Sequence, residues 1–253
     1  MARTVKFGKL EPKHDPRTFQ LSRYESRRGF QPPPSADWSR PVRTWEMFKN
    51  DLVGCCTCAA AGHAIHGWTA NETAAHVLTD RQVIDAYAKV SGWNGRVGSP
   101  TDTGAYLLDV LNFWRKRGVG DRTIAAYPEV DVDSPVEAKF ALHAFGALYT
   151  GFWLPQTTGG RPIEDAARWI GKPDPYDRRT RPGAAGGHAV SILAYNSRWL
   201  KIVTWGRVVL CTWLFFRNYC DEAYAIISPD WISDDTSPSG FSRTALEADL
   251  ERL

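Results

Sequence analysis

The sequence lacks the features that mark membrane, disulfide-rich and nucleic-acid-binding proteins. Its N-terminus has no apolar core of a signal peptide, and no apolar run reaches the roughly 18 residues of a membrane span. The five cysteines are odd in number and unevenly spread, which argues against a disulfide framework and favours a reducing origin. With 31 basic and 28 acidic residues, the charge is too balanced to indicate nucleic acid. We therefore expect neither nucleic acid nor membrane as a partner.

The composition is that of an ordinary globular protein. Of 253 residues, 43% are hydrophobic and 23% are charged, so the chain can bury a full core as one large domain or as two lobes around a cleft. Eleven tryptophans indicate extensive packed or contact surface, because an exposed indole is costly. No internal repeat is visible.

Hydrophobic periodicity predicts helices in the first half of the chain and strands in the second. Helices are expected at residues 56–69, 80–90 with Asp80 as a cap, 105–117 and 134–140. Strands are expected at residues 147–153, 189–195, 199–205, 208–216 and 222–228, after a surface excursion over 155–187. Helices followed by strands predict an α+β architecture with segregated halves and a cleft between them.

The chain divides into an arm, a domain and a tail. Residues 1–31 form an extended N-terminal arm, residues 32–231 the domain and residues 232–253 the C-terminal tail. Within the domain we expect a helical lobe at about 50–130 and a β lobe at about 140–231.

The arm has too little apolar content for a core of its own. Its apolar residues are spaced singly among charges, as suits a strap that docks into pockets: Phe7, Leu10, Phe19, Leu21, Tyr24 and Phe30. We expect this strap to bind a neighbouring subunit, because three prolines at 32–34 stiffen its exit and project it outward.

Three of the five cysteines fall within four positions, at Cys55, Cys56 and Cys58. A small-residue run with helical propensity follows, and a thiol in the first turn of a helix is favoured as thiolate. Such a cysteine is a nucleophile when a base arrives from elsewhere, and His188 is a candidate far downstream. The alternative is that all three thiols are small buried fillers.

Six short motifs occur in an order that resembles papain-like cysteine peptidases. They are Pro34-Ser35-Ala36-Asp37-Trp38, Gly54-Cys55-Cys56-Thr57, Asp102-Thr103-Gly104-Ala105, Tyr127-Pro128, Gly187-His188-Ala189-Val190 and Thr204-Trp205-Gly206. The match runs from about residue 34 to 231. With Cys220-Asp221-Glu222-Ala223-Tyr224-Ala225, the pattern is also similar to papain-like proteins of actinobacterial phages and prophages. The resemblance implies a two-lobed papain-like fold and no cofactor.

The resemblance also implies roles for named residues. Cys56 is the expected nucleophile, with Cys58 as the less favoured choice, and His188 is the base. Asn50 stands six residues before Cys56, where the family has a glutamine that stabilises the oxyanion. Gly104 occupies the place of the substrate-binding glycine, and Trp205 shields the site or belongs to the core.

The third catalytic position departs from the family pattern. Counting back from Trp205 places Val203, which has no polar side-chain atom, where the family has asparagine. Thr204 is the neighbouring candidate to hold the imidazole, although adjacent residues of a strand point to opposite faces.

A metal site is the alternative for a stretch rich in cysteine and histidine. On a helix, His63 and His66 would lie two to three turns from Cys56, too far for one ion. We therefore expect no metal, and we expect both histidines to pack or cap on the helix.

Two functions follow from these residues. The first is a thiol hydrolase, a peptidase or amidase acting on a peptide or peptidoglycan-like substrate. The second is a weakened or inactive structural or binding component of a phage tail or capsid, joined to phage proteins through residues 1–31. Val203, the basic arm and the many tryptophans favour the second, and residues 1–31 are short for an inhibitory pro-segment. The expected location is the cytoplasm of the producing cell or a virion.

Overall fold

A computed structural model describes residues 5–23, 31–72, 74–232, 235–240, 242 and 244. Five α-helices are assigned in these residues: α1 (Cys56–Glu72), α2 (Asp80–Ser91), α3 (Leu107–Arg117), α4 (Pro135–Phe145) and α5 (Trp213–Tyr219). The strands are β1 (Ala36–Asp37), β2 (Leu148–Leu154), β3 (Thr157–Thr158), β4 (Arg161–Pro162), β5 (Arg168–Trp169), β6 (Gly186–Tyr195), β7 (Trp199–Thr204), β8 (Arg207–Thr212) and β9 (Cys220–Ala225). A 3-10 turn spans Arg178–Thr180. The predicted α+β fold class is confirmed.

Helix α1 lies in the core and starts at Cys56, as predicted. Residues 56–69 are all buried, and small side chains in this stretch allow neighbouring elements to approach closely. Two hydroxyls join α1 to the sheet: Ser191 Oγ donates to the Ala60 carbonyl at 2.7 Å, and Tyr149 Oη donates to the Thr57 carbonyl at 2.9 Å. The helix is therefore fixed directly against β2 and β6.

The other predicted helices are present with small changes at their ends. Thr79, rather than Asp80, caps α2, and it forms a reciprocal capping box with Gln82. Helix α4 begins after its cap Ser134 as predicted but continues to Phe145, beyond the predicted end at residue 140.

The second half supplies six strands of a seven-stranded sheet, in the order β5-β8-β7-β6-β2-β9, and β1 from the first half pairs to β6. Neighbouring strands are antiparallel except β5 and β8, which are parallel. Strand β5 belongs to the segment 155–187 that was expected to be a surface excursion, so part of that segment extends the sheet.

The strand predicted at 208–216 is wrong in its second half. Strand β8 ends at Thr212, whose side chain accepts a hydrogen bond from the Phe215 amide and caps α5. The chain then forms one short helix before β9. The run is rich in β-branched and aromatic residues, which favours a strand. The helix forms because the Thr212 side chain accepts a hydrogen bond from a backbone amide of its first turn.

The described part of the arm lies on its own domain. The Lys6 amide donates to the Asn50 carbonyl at 2.8 Å, and the Leu21 amide donates to the Glu129 carbonyl at 2.8 Å. For residues 5–23, the expected docking on a neighbouring subunit is therefore wrong. The remainder of the predicted strap, residues 1–4 and 24–30, lies outside the described residues. No helix within the described ranges is long and apolar enough to cross a membrane.

Candidate active site

The predicted nucleophile lies at the first position of α1 with its thiol buried. Cys56 is fully buried, and backbone N–H groups of Ala189, Gly8 and Thr57 lie near its sulfur. These groups and the charge of Lys9 favour the thiolate, but burial outweighs them and raises the pKa of the Cys56 thiol to about 11. In this conformation Cys56 is a neutral thiol at pH 7.

The predicted base projects from β6 and is also buried. His188 stacks on Trp205 with ring centroids 4.3 Å apart and an interplanar angle of 22°. Burial lowers the pKa of His188 to about 3, and His63 contributes in the same direction, so the imidazole is neutral. Its Nδ1 atom is buried and makes no hydrogen bond to a described residue.

Thr204 makes the contact that the sequence left open. Its Oγ1 atom lies 2.6 Å from His188 Nε2, and both side chains are buried. A tautomer with the proton on Nε2 would donate to Thr204 and leave the Nδ1 lone pair free. Thr204 thus supplies a polar partner to the ring where Val203 has none.

The predicted oxyanion donor already binds a peptide carbonyl. Asn50 is buried, and its Nδ2 donates to the carbonyl oxygens of Lys6 at 3.2 Å and Val53 at 3.0 Å. Lys6 belongs to the arm and also donates its amide to the Asn50 carbonyl. The side-chain amide therefore faces a peptide group of the arm.

The predicted substrate-binding glycine lies against the arm backbone. A Cβ atom on Gly104 would stand 2.4 Å from the Gly8 carbonyl oxygen, and Gly104 has a φ of +89°, which favours glycine. The hydrogen bonds themselves come from the next residue: the Ala105 amide donates to the Gly8 carbonyl at 2.8 Å, and its carbonyl accepts from Leu10 at 3.1 Å. The opposite side of the arm is held by the Gly187 carbonyl, which accepts from Gly8 and Lys9 at 3.1 and 3.0 Å.

Three consecutive arm residues contact the predicted site residues. Lys6 bonds to Asn50, and Gly8 lies beside Cys56 and Gly104. Phe7 places its ring edge-on against His188 and Trp205, with centroids 5.9 Å away in both cases. The sequence prediction that no inhibitory pro-segment of useful length is present conflicts with this geometry, because residues 6–8 fill the cleft.

A partly buried hydrogen-bond network that the sequence analysis did not identify fixes two glycines of the site. Asp102 accepts hydrogen bonds from the Gly54 amide at 3.0 Å and from Tyr87 Oη at 2.7 Å. The same Tyr87 hydroxyl oxygen accepts from the Gly104 amide at 3.0 Å. Asp102 and Tyr87 thus tie the start of α1 to Gly104. The sequence signal for this network was Asp102 in the Asp102-Thr103-Gly104 motif, and the sequence did not indicate which residues Asp102 contacts.

The remaining thiols and imidazoles near α1 pack as side chains of the core. All five cysteines are free and buried. His63 Nε2 lies 2.8 Å from the Glu46 carbonyl, and its ring packs against Trp45 and Phe48. Burial lowers the pKa of His63 to about 4. Across the described part of the chain, no group of three or more His, Cys, Asp and Glu residues could hold a metal ion.

Known proteins resemble this chain in structure and not in sequence. No protein-family model and no curated protein matches it. Xylellain, a cysteine protease from Xylella fastidiosa, superposes with a TM-score of 0.67 at 18% identity and covers 90% of this chain and 98% of its own.

Two more distant structures agree on the architecture. The proCathepsin B S9 of Trypanosoma congolense gives a TM-score of 0.54 at 9% identity over 89% of this chain and 87% of its own. The Carica candamarcensis cysteine protease CMS1MS2 in complex with E-64 gives a TM-score of 0.52 at 13% identity over 78% of this chain and 99% of its own. The chain therefore has the papain-like fold that its motifs implied.

Proposed function

We propose that this protein is a thiol-dependent peptidase or amidase whose nucleophile is Cys56. The observation that carries the proposal is that Cys56, His188, Asn50 and Gly104 all border one extended peptide, residues 6–8 of the chain's own arm. A cleft that holds peptide backbone on both edges suits a polymer of amides as substrate. Peptide and peptidoglycan-like chains both fit this description.

In the proposed reaction, the Cys56 sulfur attacks the substrate carbonyl carbon while its proton passes to His188 Nδ1. Thr204 orients the imidazole through Nε2, and Asn50 Nδ2 together with the Cys56 amide stabilises the oxyanion. The C–N bond then breaks, and the proton on His188 goes to the leaving amine. Water attacks the resulting thioester with His188 as base, releasing the acid and restoring the thiol.

With the arm docked, this machinery would be inactive. Both Cys56 and His188 are neutral and buried, and the arm occupies the path of the substrate. Displacing the arm would expose the thiol to water and remove the main cause of its raised pKa.

The test is covalent labelling with a peptidyl epoxide inactivator of papain-class enzymes, followed by peptide mapping. We expect label on Cys56 in a Gly8→Ala variant, because a Cβ at Gly8 would stand 1.8 Å from the Gly54 carbonyl oxygen and expel the arm. A Cys56→Ala variant in the same background is the control. Label on Cys58 alone, or no label in a protein whose arm is shown to be displaced, would refute the proposal.

The second candidate function is a weakened or inactive component of a phage particle, present in the virion and bound to its structural proteins. The neutral Cys56 and His188 and the apolar Val203 favour it. On this alternative, the open-cleft variant would stay unlabelled and cleave no peptide.

A further inference from the structure

We infer that Asp221, Glu222 and Trp153 form a pocket for a lysine or arginine side chain of a peptide that enters the cleft. The inference rests on the proposed function, since it names a class of peptide for the same site. It starts from Lys9, the arm residue that follows Gly8.

The side chain of Lys9 is fully buried between two carboxylates. Its Nζ lies 2.6 Å from Asp221 Oδ2 and 3.2 Å from Glu222 Oε1. It also donates to the Leu10 carbonyl at 3.1 Å and stands 4.9 Å from the centroid of the Trp153 ring. Carboxylates and an aromatic face together make a site that favours a cation over an apolar group of the same length.

The pocket is shaped by the absence of side chains around it. A Cβ on Gly151 would stand 2.1 Å from Lys9 Cε and 2.8 Å from Glu222 Cγ, and a Cβ on Gly187 would stand 2.2 Å from the Lys9 carbonyl oxygen. The pairing of β2 with β9 shifts register at Gly151, where β9 contributes Glu222. Two glycines and an irregular strand pair thus leave room for a long unbranched side chain.

The acidic pair is costly for the protein to bury without a cation. The side chains of Asp221 and Glu222 are 20% and 2% exposed. Burial raises the pKa of both carboxyls, and the Lys9 charge acts in the opposite direction. When the arm leaves, the two carboxylates lose this partner, so a basic side chain of an incoming peptide would restore it.

The position of the pocket connects it to the reaction site. Gly187 accepts hydrogen bonds from Gly8 and Lys9 and precedes His188 in β6. Gly8 in turn lies beside Cys56. A peptide backbone that reaches Cys56 along this edge would carry one of its side chains into the acidic pocket.

The test uses the full chain carrying Gly8→Ala and Lys9→Ala, which opens the cleft and removes the competing lysine. Fluorogenic tetrapeptide amides place lysine, arginine, leucine or glutamate in turn at each position. We expect one position at which lysine or arginine raises kcat/KM at least tenfold over leucine, with glutamate lowest. Adding Asp221→Asn and Glu222→Gln should abolish that ratio, and adding Gly151→Ala should reduce it while keeping both charges.

A binding measurement separates this inference from the proposed function. Fluorescence anisotropy measures the binding of a dansylated peptide to the full chain carrying Gly8→Ala and Lys9→Ala. The peptide has the sequence of residues 5–13, and it is compared with the same peptide carrying leucine in place of lysine at position 9. At least tenfold tighter binding of the lysine peptide supports the pocket even if no amide is cleaved, and in that case only the proposed function fails. Cleavage with no preference for a basic residue at any position, or equal binding of the two peptides, overturns the pocket. If the double variant does not fold, Lys9→Ala alone is used, with Lys13→Ala as the matched control, since Lys13 forms an exposed ion pair with Asp109.

Discussion

Thr204 Oγ1 lies 2.6 Å from Nε2 of His188, on the side of the imidazole remote from its free Nδ1 atom. Both residues are buried, and Trp205 covers the ring face. In the proposed mechanism, this hydroxyl takes the place of the side-chain amide that papain-like peptidases use. The Thr204 side chain is shorter than that of asparagine, and Thr204 lies one residue after the position that the motif count indicates.

Replacing Thr204 with valine should slow peptide hydrolysis roughly tenfold or more, because the imidazole loses the bond that selects its tautomer. Thr204→Ser keeps the hydroxyl and should recover most of the rate. The measurement is kcat/KM in the Gly8→Ala background, with its pH profile, since a purely structural defect would leave the profile unshifted. Equal losses in the valine and serine variants would contradict an orienting role.

Removing the candidate oxyanion donor should lower kcat more than it raises KM. For Asn50→Ala we expect a loss on the order of 10² in kcat, as found when one such donor is deleted elsewhere. Asn50 also donates to the Val53 carbonyl at 3.0 Å, so thermal unfolding is measured alongside to separate stability from rate. An unchanged kcat would remove Asn50 from the mechanism.

Expelling the arm should make Cys56 reactive at lower pH. With the arm docked, a pKa of about 11 leaves a thiolate fraction near 10⁻⁴ at pH 7, so alkylation by iodoacetamide should be slow and climb with pH. The Gly8→Ala variant should react faster, with the midpoint of its rate profile shifted down.

Cys211 serves as the internal control for this labelling, because it is free and buried and lies on β8, which is not among the arm contacts described above. Its rate of alkylation should be the same in both proteins. A parallel rise at Cys211 would indicate that Gly8→Ala loosens the whole fold.

The contact between the arm and the domain should weaken as the pH rises through about 7. With the arm docked, burial raises the pKa of Glu222 to about 7, and Lys9 acts against this rise. Undocking exposes the carboxyl to water and removes the main cause of the raised pKa, so docking takes up a proton and is favoured where Glu222 is protonated. Around Glu222 stand Lys9, Asp221 and the Tyr224 hydroxyl, with Glu129 acting on Tyr224.

Hydrogen exchange checks this pH dependence, after correction for intrinsic rates. The amides of Gly8 and Lys9, which bond to Gly187, should lose protection as the pH rises from 6 to 8, while strand β2 should keep it. In Glu222→Gln this pH dependence should largely disappear. Protection that is constant over this pH range in the unmodified chain would refute a role for Glu222 in docking the arm.

The sequence by itself determined the local elements and the order of the motifs. Small residues after Cys56 predict the buried helix, and β-branched runs predict the strand that follows His188 and the strand that carries Thr204. These are properties of neighbouring residues, and period and propensity report them directly.

Only the tertiary structure decided the contacts that control the site. Lys9 contacts Asp221 across 212 positions of sequence, and the bond from Thr204 to His188 depends on the pairing of β6 with β7. Burial then sets the protonation of Cys56 and His188 against what a helix start or a free imidazole would favour. Long-range packing and desolvation have no local signature, so the docking of the arm in its own cleft could not be predicted from the sequence.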